Sequence, residues 1–137
     1  MIVVDASALL GVLLGSPHAV ASIERELIGE QTHVLHAPDL IEPEVLNALG
    51  RLVRSRAVTR HRAEQAVAHL GAARLIRYPH APLRARVWAL RDALSAYDAM
   101  YVALAELLDD AVLMTADRGL ATVAERVIGR DRVRHLA

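Results

Sequence analysis

The chain has 137 residues, of which 54% are hydrophobic, and its 16 basic residues balance 16 acidic ones to a formal net charge of zero. This length and composition predict one domain with a sizeable core, and the neutral charge argues against strong nonspecific binding of nucleic acid. The sequence contains no lysine and no cysteine, which excludes Schiff-base chemistry, P-loop nucleotide binding, disulfides and thiolate catalysis.

Short β-branched runs alternate with helical patterns along the chain, in the order that an α/β domain with a mostly parallel sheet requires. The predicted elements are strand 1–4, helices 6–14 and 17–28, strand 34–36, helices 40–55 and 60–72, strand 75–78, helices 83–94 and 96–108, strand 111–115, helix 118–128 and strand 133–136. The longest apolar stretch, Ala8 to Leu14, is far shorter than the roughly 20 residues of a membrane span. We therefore expect no membrane association and a cytoplasmic location.

Four carboxylates stand at the edges of apolar segments. Asp5 follows the first predicted strand, Glu44 enters the third helix, Asp98 opens the sixth helix and Asp117 follows the fourth strand. At an effective dielectric of about 20, two carboxylates ~5 Å apart repel each other by roughly 3 kcal/mol. The four acids therefore either lie apart or surround a cation.

Each acid also has a structural interpretation. Asp5 and Asp117 are suited to cap the helices that follow them, and Ser95 with Asp98 resembles a capping box. The neighbouring polar residues favour a metal site, because each could hydrogen-bond a carboxylate and orient it; these neighbours are Ser7, Asn47 and Thr115.

Four segments carry a more specific pattern: Val3–Leu10, Pro43–Leu49 with Arg51, Leu94–Ala105 and Met114–Arg118. Together they resemble PIN-domain proteins, particularly the VapC toxins of bacterial toxin–antitoxin pairs. The resemblance spans nearly the whole chain and implies a single PIN domain over residues 1–137, an α/β/α sandwich that binds Mg²⁺ or Mn²⁺ and cleaves RNA. It implies catalytic and metal-binding roles for Asp5, Glu44, Asp98 and Asp117, supported by Ser7, Asn47 and Thr115.

The chemistry expected of such a site is hydrolysis. Oxygen ligands suit Mg²⁺ or Mn²⁺ better than Zn²⁺, and a cation of this kind activates water and polarises a phosphate. Water as the attacking group predicts products with a 5′-phosphate and a 3′-hydroxyl. Candidate contacts to the RNA phosphates are Arg51, Arg54 and Arg118. The sequence leaves open whether one or two ions bind and whether Glu44 or Asp117 accepts the proton.

The resemblance also implies three partners. These are an RNA substrate, a VapB-like antitoxin whose tail inserts near the acidic site, and a second copy of the chain in a homodimer. Which RNA is cut cannot be derived from the sequence.

Other functions fit the sequence less well. A receiver domain needs a lysine, and a haloacid-dehalogenase-type phosphatase needs an aspartate where Ser7 stands. The competitor that stays open is a PIN-like module that binds RNA or protein without cutting it. Three aromatic residues are expected in the core or at an interface rather than stacked on bases: Trp88, Tyr97 and Tyr101.

Overall fold

The computed structural model describes residues 1–136, and these form five strands and seven α-helices. The strands are β1 (Ile2–Val4), β2 (Leu35–Pro38), β3 (Leu75–Tyr78), β4 (Val112–Thr115) and β5 (Val133–His135). The helices are α1 (Ala6–Leu13), α2 (Pro17–Leu27), α3 (Ile41–Arg54), α4 (Arg60–Ala72), α5 (Arg84–Ala89), α6 (Ala96–Leu107) and α7 (Arg118–Ile128). Short 3₁₀ turns precede α5 and β5, at Ala81–Leu83 and Arg130–Arg132.

The strands form one sheet in the order β3-β2-β1-β4-β5, and every pairing is parallel. From β1 the chain moves outward through β2 to β3, then crosses back to β4 on the other side of β1. The strand order therefore reverses between β1 and β4. In open α/β sheets this reversal opens a crevice at the carboxyl ends of the two strands, where ligands bind.

The core is built on the two central strands. Val3, Val4, Leu113 and Met114 are completely buried, as expected for a parallel sheet that is covered on both faces. Helices α5, α6 and α7 pack together, with α6 against β1, β2 and β4, whereas α1 packs against α2, α3 and α4. These contacts confirm the predicted α/β fold with its parallel sheet.

The predicted elements are present, with two changes of extent. Strand β2 begins at Leu35, one residue after the predicted start, and ends at Pro38, two residues beyond the predicted end. The predicted helix over 83–94 is wrong in length, because the α-helix ends at Ala89. After it, the N–H groups of Leu90 and Ala93 donate to carbonyls only three residues earlier in the chain, as in a turn. The chain then reaches Ser95, whose backbone is extended and whose side chain caps α6. The prediction failed because the apolar spacing continues through these turns.

Among residues 1–136, no single helix has the length and apolar character needed to cross a membrane. Helices α1 and α2 meet those criteria only as a pair, and they are bent by 109° relative to each other.

Candidate active site

Two of the four predicted acids lie at the carboxyl ends of the two central strands. Asp5 directly follows β1, and its backbone N–H donates to the carbonyl of Met114 in β4 at 3.1 Å. Asp117 lies two residues beyond the end of β4. Both acids therefore stand at the crevice created by the reversal of strand order.

The Asp5 carboxylate is held by three hydrogen-bond donors. The Ser7 hydroxyl and the Ala8 N–H donate to Oδ1 at 2.7 and 2.8 Å, and the Thr115 hydroxyl donates to Oδ2 at 2.5 Å. Asp5 is buried, so these bonds compensate for part of the water that it loses on folding. They also fix the direction in which the remaining lone pairs point.

The same two hydroxyls connect Asp5 to the loop that carries Asp117. The Ala116 N–H donates to Ser7 Oγ at 2.9 Å, and the Asp117 N–H donates to Thr115 Oγ1 at 2.9 Å. Each hydroxyl thus accepts from the loop after β4 and donates to the acid after β1. This arrangement keeps the two strand ends in a fixed relation.

Asp5 and Asp117 also cap helices. Asp5 Oδ1 accepts from the Ala8 N–H at the start of α1, and Asp117 Oδ1 accepts from the Leu120 N–H at the start of α7 at 3.0 Å. The capping interpretation is therefore confirmed for both residues. It does not compete with a role in the site, because each carboxylate has a second oxygen, Oδ2, that does not accept the capping hydrogen bond.

The other two acids come from helices α3 and α6. Glu44 lies in the first turn of α3 and Asp98 in the first turn of α6, where the Asp98 N–H donates to Ser95 Oγ at 3.2 Å. Tyr101, one turn after Asp98, donates its hydroxyl proton to Glu44 Oε1 at 2.6 Å. This bond connects the two helices that carry these acids.

Tyr101 is the residue that the sequence-based assignment of the site missed. It is only 1% exposed, so the expectation of a core position is correct, but its hydroxyl reaches the site. A signal was available, since Tyr101 lies three residues after Asp98 and thus near the same side of the helix. Asn47, which was expected to orient a carboxylate, is exposed and donates no hydrogen bond to Glu44 within residues 1–136.

The four carboxylates share one electrostatic environment. Burial is the main cause that raises the pKa of Asp5, and the negative charge of Asp117 raises it further. The hydrogen bonds from Thr115, Ala8 and Ser7 lower the same pKa in part. The pKa of Glu44 is raised by burial and by Asp5, and lowered in part by Tyr101. The pKa of Asp98 is raised by burial, then by the charges of Asp117, Glu44 and Asp5. Repulsion of this kind requires that the four acids lie near one another.

A cavity of about 350 Å³ opens beside this acidic cluster. Its lining combines site residues with one arginine and one exposed aromatic ring: Ala6, Ser7, Leu10, Glu44, Asn47, Ala48, Arg51 and Tyr97. Arg51 is exposed and forms no ion pair among the described residues, so it can offer its guanidinium to an anion in the cavity. Arg54 and Arg118 are also exposed but do not line this cavity.

The PIN domain family model matches residues 2–126 of the chain. The chain belongs to the PIN domain family. It is 43% identical to VapC ribonuclease Mb0985 of Mycobacterium bovis over 128 residues, which cover 91% of this chain and 92% of that protein. It is 41% identical to ribonuclease VapC1 of Mycobacterium tuberculosis over 120 residues, 87% of each chain. These relatives assign it to the VapC group of PIN domains.

A solved structure supports the same assignment at the level of the fold. The crystal structure of PAE2754 from Pyrobaculum aerophilum matches this PIN domain with a TM-score of 0.67 and 25% sequence identity. The match covers 96% of this chain and 81% of the other.

The donor set of this PIN domain fits a hard divalent cation. All four charged groups present oxygen, and a cation would relieve the repulsion that raises three of their pKa values. No three Asp, Glu or His side chains within residues 1–136 already stand in the arrangement of a complete metal site. A cation held by several of these acids would therefore have to draw their carboxylates closer together.

Proposed function

We propose that this chain is a single PIN domain that hydrolyses RNA internally as the toxin of a VapBC-type pair in the cytoplasm. The observation that carries the proposal is the cluster of Asp5, Glu44, Asp98 and Asp117, in which the neighbouring carboxylate charges add to burial in raising the pKa values of Asp5, Glu44 and Asp98. The relatives named VapC ribonuclease support the choice of RNA as the substrate.

The residues that would hold Mg²⁺ or Mn²⁺ are the same four acids. Asp5 is best prepared for this role, because three donors fix its carboxylate. Ser7 and Thr115 would orient Asp5, and Tyr101 would orient Glu44. When bound, the cation supplies a Lewis acid that polarises the scissile phosphate and lowers the pKa of water.

The remaining steps belong to side chains of the protein. Glu44 has a raised pKa and keeps Oε2 free of the Tyr101 hydroxyl, so this oxygen is suited to accept the proton of the attacking water. Arg51, on the wall of the cavity, would bind a phosphate oxygen of the RNA. Arg54 and Arg118 would bind phosphates further along the strand. Attack by water leaves a 5′-phosphate and a 3′-hydroxyl.

Cleavage of a total-RNA pool with Mg²⁺, Mn²⁺ or EDTA tests this proposal. Wild type should cut at a small number of sites only with metal, and Asp98→Asn should lose at least ~100-fold in rate, the scale on which charged groups contribute to such transition states. Asp109→Asn, an exposed acid outside the cluster, is the matched control. Equal cleavage by wild type and Asp98→Asn, or 2′,3′-cyclic ends on the products, would contradict the mechanism and favour a module that only binds.

The proposal includes two protein partners, a VapB-like antitoxin and a second copy of this chain. An antitoxin segment with an arginine would find the cavity beside Glu44 complementary in charge. Light scattering of the purified chain, with and without a small protein encoded beside it, tests both. A monomer that forms no complex with that protein would contradict this part of the proposal.

A further inference from the structure

A second groove lies beside the catalytic cavity, between α5 and α6. It has a volume of about 430 Å³, and its mostly apolar wall includes Val87, Leu94, Met100 and an exposed indole. That indole is Trp88, which is 68% exposed. Of the two expected places for Trp88, core or interface, the core is therefore ruled out, and the groove presents a large aromatic ring to solvent.

The groove also carries uncompensated positive charge. The guanidinium of Arg91 lies 4.6 Å from the centre of the Trp88 ring, and Arg84 lines the same groove. Neither arginine forms an ion pair among residues 1–136, whereas Arg86, on the same helix as Arg84, is paired with Glu106 at 2.7 Å. Arg91 Nη1 also donates to the Trp88 carbonyl at 3.0 Å, which holds the guanidinium over one face of the indole. An indole with one face open and two arginines without an acidic partner beside it is complementary to a nucleobase with its phosphates.

The groove and the cavity beside the acidic cluster meet the chain at neighbouring residues at the start of α6. Ala96 lines the groove, and the next residue, Tyr97, lines the catalytic cavity together with Glu44 and Arg51. Tyr97 is 66% exposed, so it too lies outside the core, and Asp98 follows it directly. A strand of RNA with one phosphate at the carboxylates can therefore run over Tyr97 into the groove.

We propose that this groove binds an unpaired nucleotide of the RNA substrate, with its base stacked on Trp88 and its neighbouring phosphates on Arg84 and Arg91. The inference rests on the proposed function, and it names the form of the substrate. Bases in a duplex are stacked on each other and cannot reach an indole, so the groove selects single-stranded RNA next to the cut.

Trp88 is the only tryptophan of the chain, which makes its fluorescence a direct reporter of this contact. The titration uses an unstructured 12-nucleotide RNA in EDTA, so that no cleavage occurs, and the same RNA annealed to its complement. The single strand should quench the fluorescence to saturation, and the duplex should not. Anisotropy of a labelled single strand should show at least about fivefold weaker binding to Trp88→Ala, the lower end of what stacking of one base contributes.

Three variants control this measurement. Trp88→Phe keeps an aromatic ring and should retain most of the affinity, while Leu107→Ala removes an exposed apolar side chain at the other end of α6 and should bind as wild type. Arg91→Ala tests the same groove if Trp88→Ala fails to fold, and it too should bind RNA more weakly.

Unchanged fluorescence with RNA, together with wild-type binding by Trp88→Ala, would overturn the inference while metal-dependent cleavage left the proposed function intact. Quenching and weakened Trp88→Ala binding without any cleavage would support the groove and overturn the nuclease instead. A Trp88→Ala protein that becomes monomeric but binds RNA as wild type would overturn the inference by identifying the groove as a subunit interface.

Discussion

Tyr101 belongs both to the hydrophobic core and to the candidate active site. Its ring is buried in the core, and its hydroxyl donates to Glu44 at 2.6 Å across a separation of 57 residues. The raised pKa of Tyr101, caused first by burial and then by the Glu44 hydrogen bond, keeps this hydroxyl protonated as a donor. The bond thereby connects Glu44 to α6, the helix that carries both Tyr101 and Asp98.

Replacing Tyr101 with phenylalanine should slow RNA cleavage by roughly 10- to 100-fold, because a hydrogen bond to a charged group contributes about 1.5–3 kcal/mol. Tyr78→Phe is the matched control, since its hydroxyl lies 2.7 Å from His36 Nδ1, away from the carboxylates. Cleavage rates and thermal unfolding should be measured for both. If Tyr101→Phe cleaves RNA as fast as Tyr78→Phe, Tyr101 does not position Glu44.

The sequence predicts part of this site because part of it is local. Ser7 lies two residues from Asp5 and contacts it, and Thr115 lies two residues before Asp117 and accepts its N–H. The bond from Thr115 to Asp5 depends on the pairing of β1 with β4, and the bond from Tyr101 to Glu44 depends on the packing of helices. These long-range contacts cannot be read from spacing, and this is why Tyr101 was missed.

At the level of elements, the strand-to-helix turns after β1 and β4 serve two purposes. Each ends in an aspartate that caps the next helix and faces the crevice, Asp5 for α1 and Asp117 for α7. An N-cap favours a carboxylate through hydrogen bonding and through the helix dipole. These two caps therefore offset part of the cost of placing carboxylates where the strand order reverses.

The two roles of Asp117 can be separated by substitution. Asp117→Asn keeps an oxygen for the Leu120 N–H and should change stability by less than about 1 kcal/mol, whereas Asp117→Ala loses the cap and should cost about 1 kcal/mol more. Both should lose RNA cleavage, because both lose the charge. Urea unfolding and cleavage assays on the pair measure this, and wild-type cleavage by Asp117→Asn would show that Asp117 only caps α7.

The existence and type of the elements were predictable, but their arrangement was not. Local patterns predict three elements well: β1 is a buried apolar run, α3 has a clear apolar period, and α7 begins after the capping residue Asp117. The extent of α5 was wrong, because turns after Ala89 preserve apolar spacing. The strand order depends on pairings between segments as distant as β1 and β4, and no local pattern specifies it.

Across the whole molecule, a chain with no net charge concentrates four acids at one crevice. The pKa of Asp98 is raised by burial first and then by the other three carboxylates. An acid whose pKa is higher in the folded chain than in the unfolded chain costs stability as pH rises through that interval, because the folded chain then binds a proton that the unfolded chain has released. In the absence of metal, this cost is fully present above the pKa of Asp98 in the folded chain and disappears as the pH falls below the pKa in the unfolded chain.

Asp98→Asn should therefore raise the free energy of unfolding of the metal-free protein at pH 7.5, and this gain should shrink as the pH falls toward 4. His36, whose pKa is lowered by burial, titrates in both proteins and cancels in the comparison. Urea midpoints of wild type and variant in EDTA at several pH values provide the measurement. If the difference in urea midpoint between wild type and Asp98→Asn does not change with pH, the pKa of Asp98 is not raised in the folded chain.

Binding of Mn²⁺ measured by calorimetry tests most directly that these four acids form one cation site. Wild type should bind Mn²⁺, Asp5→Asn and Asp98→Asn should bind it at least ~10-fold more weakly, since each removes a charged oxygen ligand, and Asp109→Asn should bind it as wild type does. Equal Mn²⁺ affinity in wild type, Asp5→Asn and Asp98→Asn would contradict the assignment of the acidic cluster as a metal site.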